Sequence, residues 1–135
     1  TGATISTPIA VSSTVSALNE AQLTISKAIT PSTVVENGQI TYTFVIQNTG
    51  NTPAVATDNV TVTDTFNPIL SDISVSYNST TWTQGTNYTY NEATGEFVTI
   101  PGQITVPAAT YIQDTETGVI TVTPGTVTLT VTGTV

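Results

Sequence analysis

Three polar residues stand where the alternation of the chain predicts apolar, core-facing side chains. Lys27, Asn48 and Asp64 are each in phase with the apolar residues of their own segments. A charge buried without a partner is costly, so the three invite a common explanation. One interpretation is a Lys27–Asp64 ion pair near a strand end, with Asn48 capping a turn. The other is an intramolecular Lys27–Asn48 isopeptide bond, assisted by Asp64 and formed with loss of ammonia.

Residue types that carry enzymatic or transition-metal chemistry are missing from this sequence. It contains no Cys, Met or His, so it has no thiol nucleophile, no imidazole base and none of the usual ligands for zinc, copper or iron. No nucleophile elbow is present either. We therefore expect no catalytic residue, no metal site and no cofactor, and a protein that is not an enzyme.

Weaker candidate sites come from acidic, aromatic and asparagine residues. Carboxylates can bind calcium, but their spacing here matches no EF-hand loop and is typical of a solvated surface; these are Asp58, Asp72, Asp114 and Glu116. Aromatic side chains can stack on sugars, although in sandwiches they more often fill the core; these are Tyr77, Trp82, Tyr88, Tyr90 and Tyr111. Sequons beginning at Asn59, Asn78 and Asn87 are candidate sites for surface glycans.

The charge balance excludes some classes of partner. Nine acidic residues face a single basic one, which gives a net charge of -8. Such a chain is repelled by phosphate backbones and by anionic membranes, and we expect no nucleic-acid partner. No apolar run approaches the ~20 residues of a transmembrane helix, so we expect no membrane insertion.

The elements that must position these residues are β-strands, because period-two alternation runs through the whole chain and no segment has a helical period. The alternation predicts strands over about 22–30, 40–47, 60–63 and 73–77, two hairpins near 88–98 and 111–122, and a last strand over 126–135. Both hairpin loops place Thr-Gly just before the return strand, which is typical of a turn closed by a left-handed glycine. The sequence predicts one antiparallel β-sandwich over residues 22–135.

Residues 1–18 precede this domain and alternate as well. Their apolar positions, Ile5, Ile9, Val11 and Val15, lie opposite small or polar residues. Such a strand can pair within its own sheet, can be donated to a neighbouring copy, or can lack a fixed structure. Donation would use backbone pairing for affinity and the four apolar residues as anchors, with residues 19–21 as the hinge.

Several motifs resemble the "domain of unknown function eleven" repeat of bacterial and archaeal surface proteins. They are ISK at 25–27 with Pro31, NGQITYTFVIQNTG at 37–50, NVTVTDTF at 59–66 and the closing TVTLTVTGTV. The resemblance covers residues 22–135 and implies an immunoglobulin-like sandwich on cell surfaces, often in tandem stalks, walls or fibres. The family has no established catalytic residues to carry over.

These observations lead to one functional expectation and two alternatives. We expect an extracellular, cell-surface subunit of a homopolymeric fibre, joined head to tail by donation of the N-terminal strand. The first alternative is a stalk or spacer domain of a larger adhesin or surface-layer protein. The second is an adhesive module that binds carbohydrate or calcium.

Overall fold

The computed structural model describes residues 19–135, which form ten β-strands and one short 3₁₀ turn. The predicted N-terminal strand, with Ile5, Ile9, Val11 and Val15, lies outside the described residues. The strands are β1 Leu23–Thr30, β2 Gln39–Asn48, β3 Thr63–Thr65, β4 Ser71–Tyr77, β5 Thr80–Trp82, β6 Tyr88–Asn91, β7 Glu96–Thr99, β8 Thr110–Gln113, β9 Ile120–Thr123 and β10 Gly125–Thr134. The 3₁₀ turn spans Ala56–Asp58.

The strands form an antiparallel, all-β, sandwich-like fold. A larger sheet has the order β1-β2-β10-β4-β5, and a smaller sheet has the order β3-β7-β6. One hydrophobic core joins the inner faces of the two sheets. Phe66, between the sheets, stacks on Tyr42 of the larger sheet at 4.5 Å and on Phe97 of the smaller sheet at 5.6 Å. The predicted fold class is confirmed at this level.

The alternation of the two longest strands decides which side chains enter the core. In β2 every even position from Ile40 to Asn48 is buried, and in β10 every odd position from Gly125 to Gly133 is buried. The opposite positions are mostly threonines. Thr is β-branched and favours strands while its hydroxyl faces water, so these strands need no charges on their outer face.

Most predicted strands are present, and the differences are local. The segment near residues 60–63 contributes only the three-residue β3, and its first residues approach the smaller sheet without regular pairing. Strand β5 is absent from the predicted strands, because its three residues, Thr80–Trp82, are too few to show an alternation. Both residues of the turn before it, Asn78 and Ser79, have positive φ, at 47° and 68°, which is the geometry of a tight hairpin turn.

The hairpin of β8 and β9 forms a small sheet of its own, separate from the two packed sheets. It carries large apolar side chains that remain in water, such as Ile112 and Ile120, which are 65% and 60% exposed. Within residues 19–135 the structure has no helix with the length and apolar character needed to cross a bilayer.

Candidate functional site: the open edge of the sandwich

Strand β1 is the edge of the larger sheet and is unusually open. Within residues 19–135 it pairs with β2 alone, and all eight of its residues are exposed. Three of its side chains that face the second sheet are nevertheless large and apolar: Leu23, Ile25 and Ile29, with 37%, 54% and 45% of their surface in water. Natural sheets usually protect such edges with charges, prolines or a covering segment. As far as residues 19–135 show, the edge of β1 therefore offers unpaired backbone groups and apolar side chains together.

A groove runs between β1 and the segment 52–64, which leads into β3 on the opposing sheet. Three adjoining hollows form it, and neighbouring hollows share lining residues. The hollow beside Asn19 and the middle hollow share Leu23 and Val60. The middle hollow and the hollow beside Lys27 share Ile25 and Val62. The sandwich is thus incompletely closed along this side, where one more strand would bring apolar side chains against the core.

Lys27 and Asp64 mark one end of this groove. Lys27 Nζ lies 2.5 Å from Asp64 Oδ2, so an ion pair connects β1 with β3 across the gap between the sheets. Among the described residues, Asp64 Oδ2 has no other partner. The ammonium also lies 4.6 Å from the ring centre of Tyr42 and 5.9 Å from that of Phe66. These contacts hold a partly exposed cation against the aromatic part of the core.

Burial raises the pKa of the Tyr42 phenol, and the nearby negative charge of Asp64 raises it further. Both causes act on the phenolate, which has lost contact with water and faces a carboxylate. Tyr42 consequently stays neutral and presents an uncharged ring to the Lys27 ammonium.

Asn48 lies at the other end of β1, away from the ion pair. In the β1–β2 register Asn48 faces Leu23, whereas Lys27 faces Phe44, four residues and about 13 Å further along the strand. The Asn48 amide is already occupied, because Oδ1 accepts from Gln22 N at 3.0 Å and Nδ2 donates to the Thr52 carbonyl at 2.8 Å. The structure does not bring Asn48 to Lys27, so this geometry gives no support to an isopeptide bond between them.

The hydrogen bonds of Asn48 fix the chain where it enters β1. Besides Gln22 N, the Oδ1 atom accepts from Gly50 N at 2.9 Å, and Gln22 O in turn accepts from Thr49 N at 2.9 Å. A Cβ on Gly50 would lie 2.1 Å from the carbonyl oxygen of Glu20, so this contact requires glycine. The residues predicted as a hinge, 19–21, are therefore packed against the end of β2.

The five aromatic residues considered as a sugar-stacking surface lie mostly in or against the core, as aromatic residues of sandwiches usually do. Trp82, Tyr88 and Tyr90 are buried in the core, and Tyr77 stacks on Trp82 at 4.8 Å. The Tyr90 hydroxyl donates to the Leu70 carbonyl and accepts from the Leu70 amide, so its polar end is satisfied inside. Only Tyr111 is substantially exposed. Alternation puts these rings on the inner faces, where they contribute far more apolar contact than they would in water.

The candidate calcium ligands lie apart from one another, and two of them accept hydrogen bonds from backbone amides of their own turns. Asp58 accepts from the Val55 amide at 2.7 Å, and Asp114 accepts from the amides of Glu116 and Thr117. These two bonds lower the pKa of the Asp114 carboxyl. Over the described part of the chain, no three acidic side chains come together as a cation site would require.

The three sequons differ in the freedom of their asparagines. Asn87 Nδ2 donates to Gln103 Oε1 at 2.7 Å, and Asn78 Oδ1 accepts from the Thr128 amide at 2.8 Å. Asn59 is exposed, just after the 3₁₀ turn, and its φ is 54°. Asn59 and Asn78 are thus both exposed candidate glycan sites, whereas Asn87 is half-buried.

Sequence reasoning missed the groove, although part of its signal was present. The lysine at an apolar phase indicated the rim of a domain, and the ion-pair interpretation joined the right two strands. The lining from 52–62 carries no period that would place it opposite β1, because its backbone is irregular there.

Comparisons with protein-family models, with curated proteins and with solved structures find no match to this chain.

Proposed function

We propose that this protein is a structural, non-enzymatic subunit of an extracellular surface fibre, and that copies join head to tail through residues 1–18. The observation that carries the proposal is the edge of β1, a strand that within residues 19–135 is paired on one side alone and exposes apolar side chains beside a groove into the core. The resemblance of its motifs to an immunoglobulin-like surface repeat supports the same role and the extracellular location.

The physical case is that of strand addition. A strand docked on β1 would bond to its free backbone groups, and alternate apolar side chains would enter the groove. Each aliphatic anchor buried in this way contributes about 1.5–3 kcal/mol by the apolar area removed from water. Because donor and acceptor are different surfaces of one chain, the contact is heterologous, and it repeats along an open filament when the rotation between neighbours does not close a ring.

The proposal is tested with the full chain, a variant in the predicted anchors and a control variant elsewhere on the surface. The double substitution Ile9→Asp and Val11→Asp places charges on two predicted anchors, whereas Ile120→Asp places one on an exposed strand residue of the β8–β9 hairpin. Electron microscopy of purified protein should show regular fibres for the wild type and for Ile120→Asp, and monodisperse particles for the anchor variant. Circular dichroism should show the same β-sheet signal and cooperative melting in all three.

Two results would remove the proposal. Monodisperse wild-type particles across a range of concentrations would leave the stalk or spacer domain as the better interpretation. Fibres of unchanged shape and yield from the anchor variant would show that copies join by other surfaces.

A further inference from the structure

We infer that the groove between β1 and the segment 52–64 is the acceptor site for residues 5–15 of a second copy of this chain. The inference rests on the proposed function and adds the surface that receives the donated segment. Its occupant is a segment that precedes the described residues, so the donor and the acceptor belong to the same sequence.

The course of the chain at residues 19–22 favours a second copy as the source of that segment. Going back from β1, Gln22 bonds to Thr49, Glu20 packs on Gly50, and Asn19 Oδ1 accepts from Asn51 Nδ2 at 3.1 Å. Residues 22 to 19 thus run alongside residues 49 to 51, with a shift of one residue from the β1–β2 register. The chain at Asn19 lies beyond the end of β1 and lines the outer end of the groove together with Glu20 and Ala21, so the rest of the groove lies behind it.

Reaching its own groove would require the chain to reverse within residues 16–18. These are Ser, Ala and Leu; Ser occurs in turns, but none is the Gly, Asn or Asp that the left-handed positions of a tight hairpin turn favour. A donated segment needs no reversal there, because it leaves the body in the direction already set at Asn19.

The composition of the segment fits the chemistry of the groove. Residues 1–18 contain no charged side chain, so their burial would leave no charge without a partner. The middle hollow is lined by Leu23, Ile25, Ile46, Val60, Val62 and two threonines, a surface suited to Ile and Val. The β1 strand spans about 24 Å from Leu23 to Thr30, and an extended segment from Ile5 to Val15 spans about 34 Å. The anchors can therefore follow the whole groove.

The Lys27–Asp64 pair sets the far limit of this site. It bridges the two sheet edges and closes the gap that the other hollows leave open. A donated strand would end or turn outward at this bridge, because displacing the pair would leave two partly buried charges without partners.

Cysteine cross-linking tests the site directly, because the chain has no cysteine of its own. One full-length variant carries Val11→Cys, a second carries Thr61→Cys in the groove, and a third carries Thr81→Cys on β5, the opposite edge of the larger sheet. Both threonines are exposed. Each acceptor variant is mixed with the donor variant under fibre-forming conditions and treated with a short bismaleimide, which tolerates differences in register.

We expect cross-linked dimers of donor and Thr61→Cys chains at least tenfold in excess over those with Thr81→Cys. Fibres that give no such excess would overturn the groove as acceptor while leaving the fibre proposal in place. If no fibres form, the proposed function fails first. A double variant, Val11→Cys with Thr61→Cys in one chain, is treated at high dilution; efficient linkage within single chains would overturn donation between copies.

Discussion

At the residue scale, Lys27 is the only basic side chain of the protein and lies where the two sheets meet. Its ammonium faces Asp64 and the rings of Tyr42 and Phe66, while its stem shares a face with the apolar residues of β1. Partly exposed pairs are usually weak. This one is different in one respect, since Asp64 Oδ2 is buried and has no other partner within the described residues.

We predict that Lys27→Met lowers the free energy of unfolding by about 1–3 kcal/mol, because it leaves a buried carboxylate oxygen unpaired. The double variant Lys27→Met with Asp64→Asn should be more stable than Lys27→Met alone, since the unpaired charge is gone. Urea denaturation of the wild type, the two single variants and the double variant measures the coupling. Additive losses would show that the two side chains do not interact.

Tyr42 gives the fold a dependence on alkaline pH. Its pKa in the folded protein lies above the ordinary value near 10, chiefly through burial. The neutral phenol therefore contributes stability that is fully present below pH 10 and is lost as the pH rises through the raised pKa. Burial raises the pKa values of Tyr88 and Tyr90 in the same direction.

We predict that Tyr42→Phe loses less stability than the wild type between about pH 10 and pH 12. One phenol that must ionise on unfolding is removed, whereas those of Tyr88 and Tyr90 remain. Urea denaturation at pH 8 and at several values above pH 10 provides the measurement, with the pH 8 pair as the control. Equal losses of stability with rising pH in the wild type and in Tyr42→Phe would contradict the assignment of this pH dependence to Tyr42.

At the element scale, two hairpins use the same turn in different surroundings. Gly95 and Gly118 each follow Thr, and their φ angles are 79° and 74°, as their position before the return strand predicted. Gly95 N donates to Asn91 O and Gly118 N to Asp114 O, both at 2.7 Å. The β6–β7 turn packs on the core, since a Cβ on Gly95 would lie 2.6 Å from the Phe66 carbonyl oxygen, but Gly118 has open space.

We predict that Gly95→Ala lowers the free energy of unfolding by at least about 2 kcal/mol more than Gly118→Ala. In both variants the new alanine must adopt the unfavourable left-handed conformation. Only in Gly95→Ala does the added Cβ also clash with the backbone of Phe66. Thermal or urea denaturation gives the comparison, and Gly118→Ala serves as the control for the backbone term. Equal losses would mean that the packing of the β6–β7 turn on Phe66 adds nothing.

Strands were the part of the structure that the sequence predicted best, and the reason is their local pattern. In β10 and β2, Thr alternates with buried apolar residues. This alternation predicts a strand correctly wherever one face of the strand meets a core and the other meets water. In β1 the same pattern gave the right strand, but its apolar face remained exposed. The alternation of a strand identifies which of its faces is apolar. Whether another element covers that face depends on residues distant in the chain.

At the scale of the whole molecule, a net charge of -8 acts against self-association. Copies that approach each other repel, while the segment proposed to join them carries no charge. Salt screens repulsion between solvent-exposed charges over a distance near 10 Å at 0.1 M. Screening should therefore help assembly without weakening the apolar contacts of the joint.

We predict that fibre assembly becomes at least severalfold faster when NaCl is raised from about 10 mM to 150 mM. Light scattering at fixed protein concentration follows the rate, and electron microscopy verifies that the product is fibrous. Sucrose of equal osmolarity is the control for nonionic effects. Slower assembly in salt would indicate that attraction between charges, and not apolar contact, drives the joint.

The sequence by itself determined the all-β class, most strand positions, the two glycine turns and the phase that brings Lys27 and Asp64 to the inner side, because these follow from period two and from backbone sterics. Only the tertiary structure decided that Asn48 bonds to the chain entering β1 and does not contact Lys27. It also decided that Trp82 is buried and that β1 borders an open groove. Those outcomes depend on which distant segments meet, and the alternation of a strand carries no information about its neighbours across the sandwich.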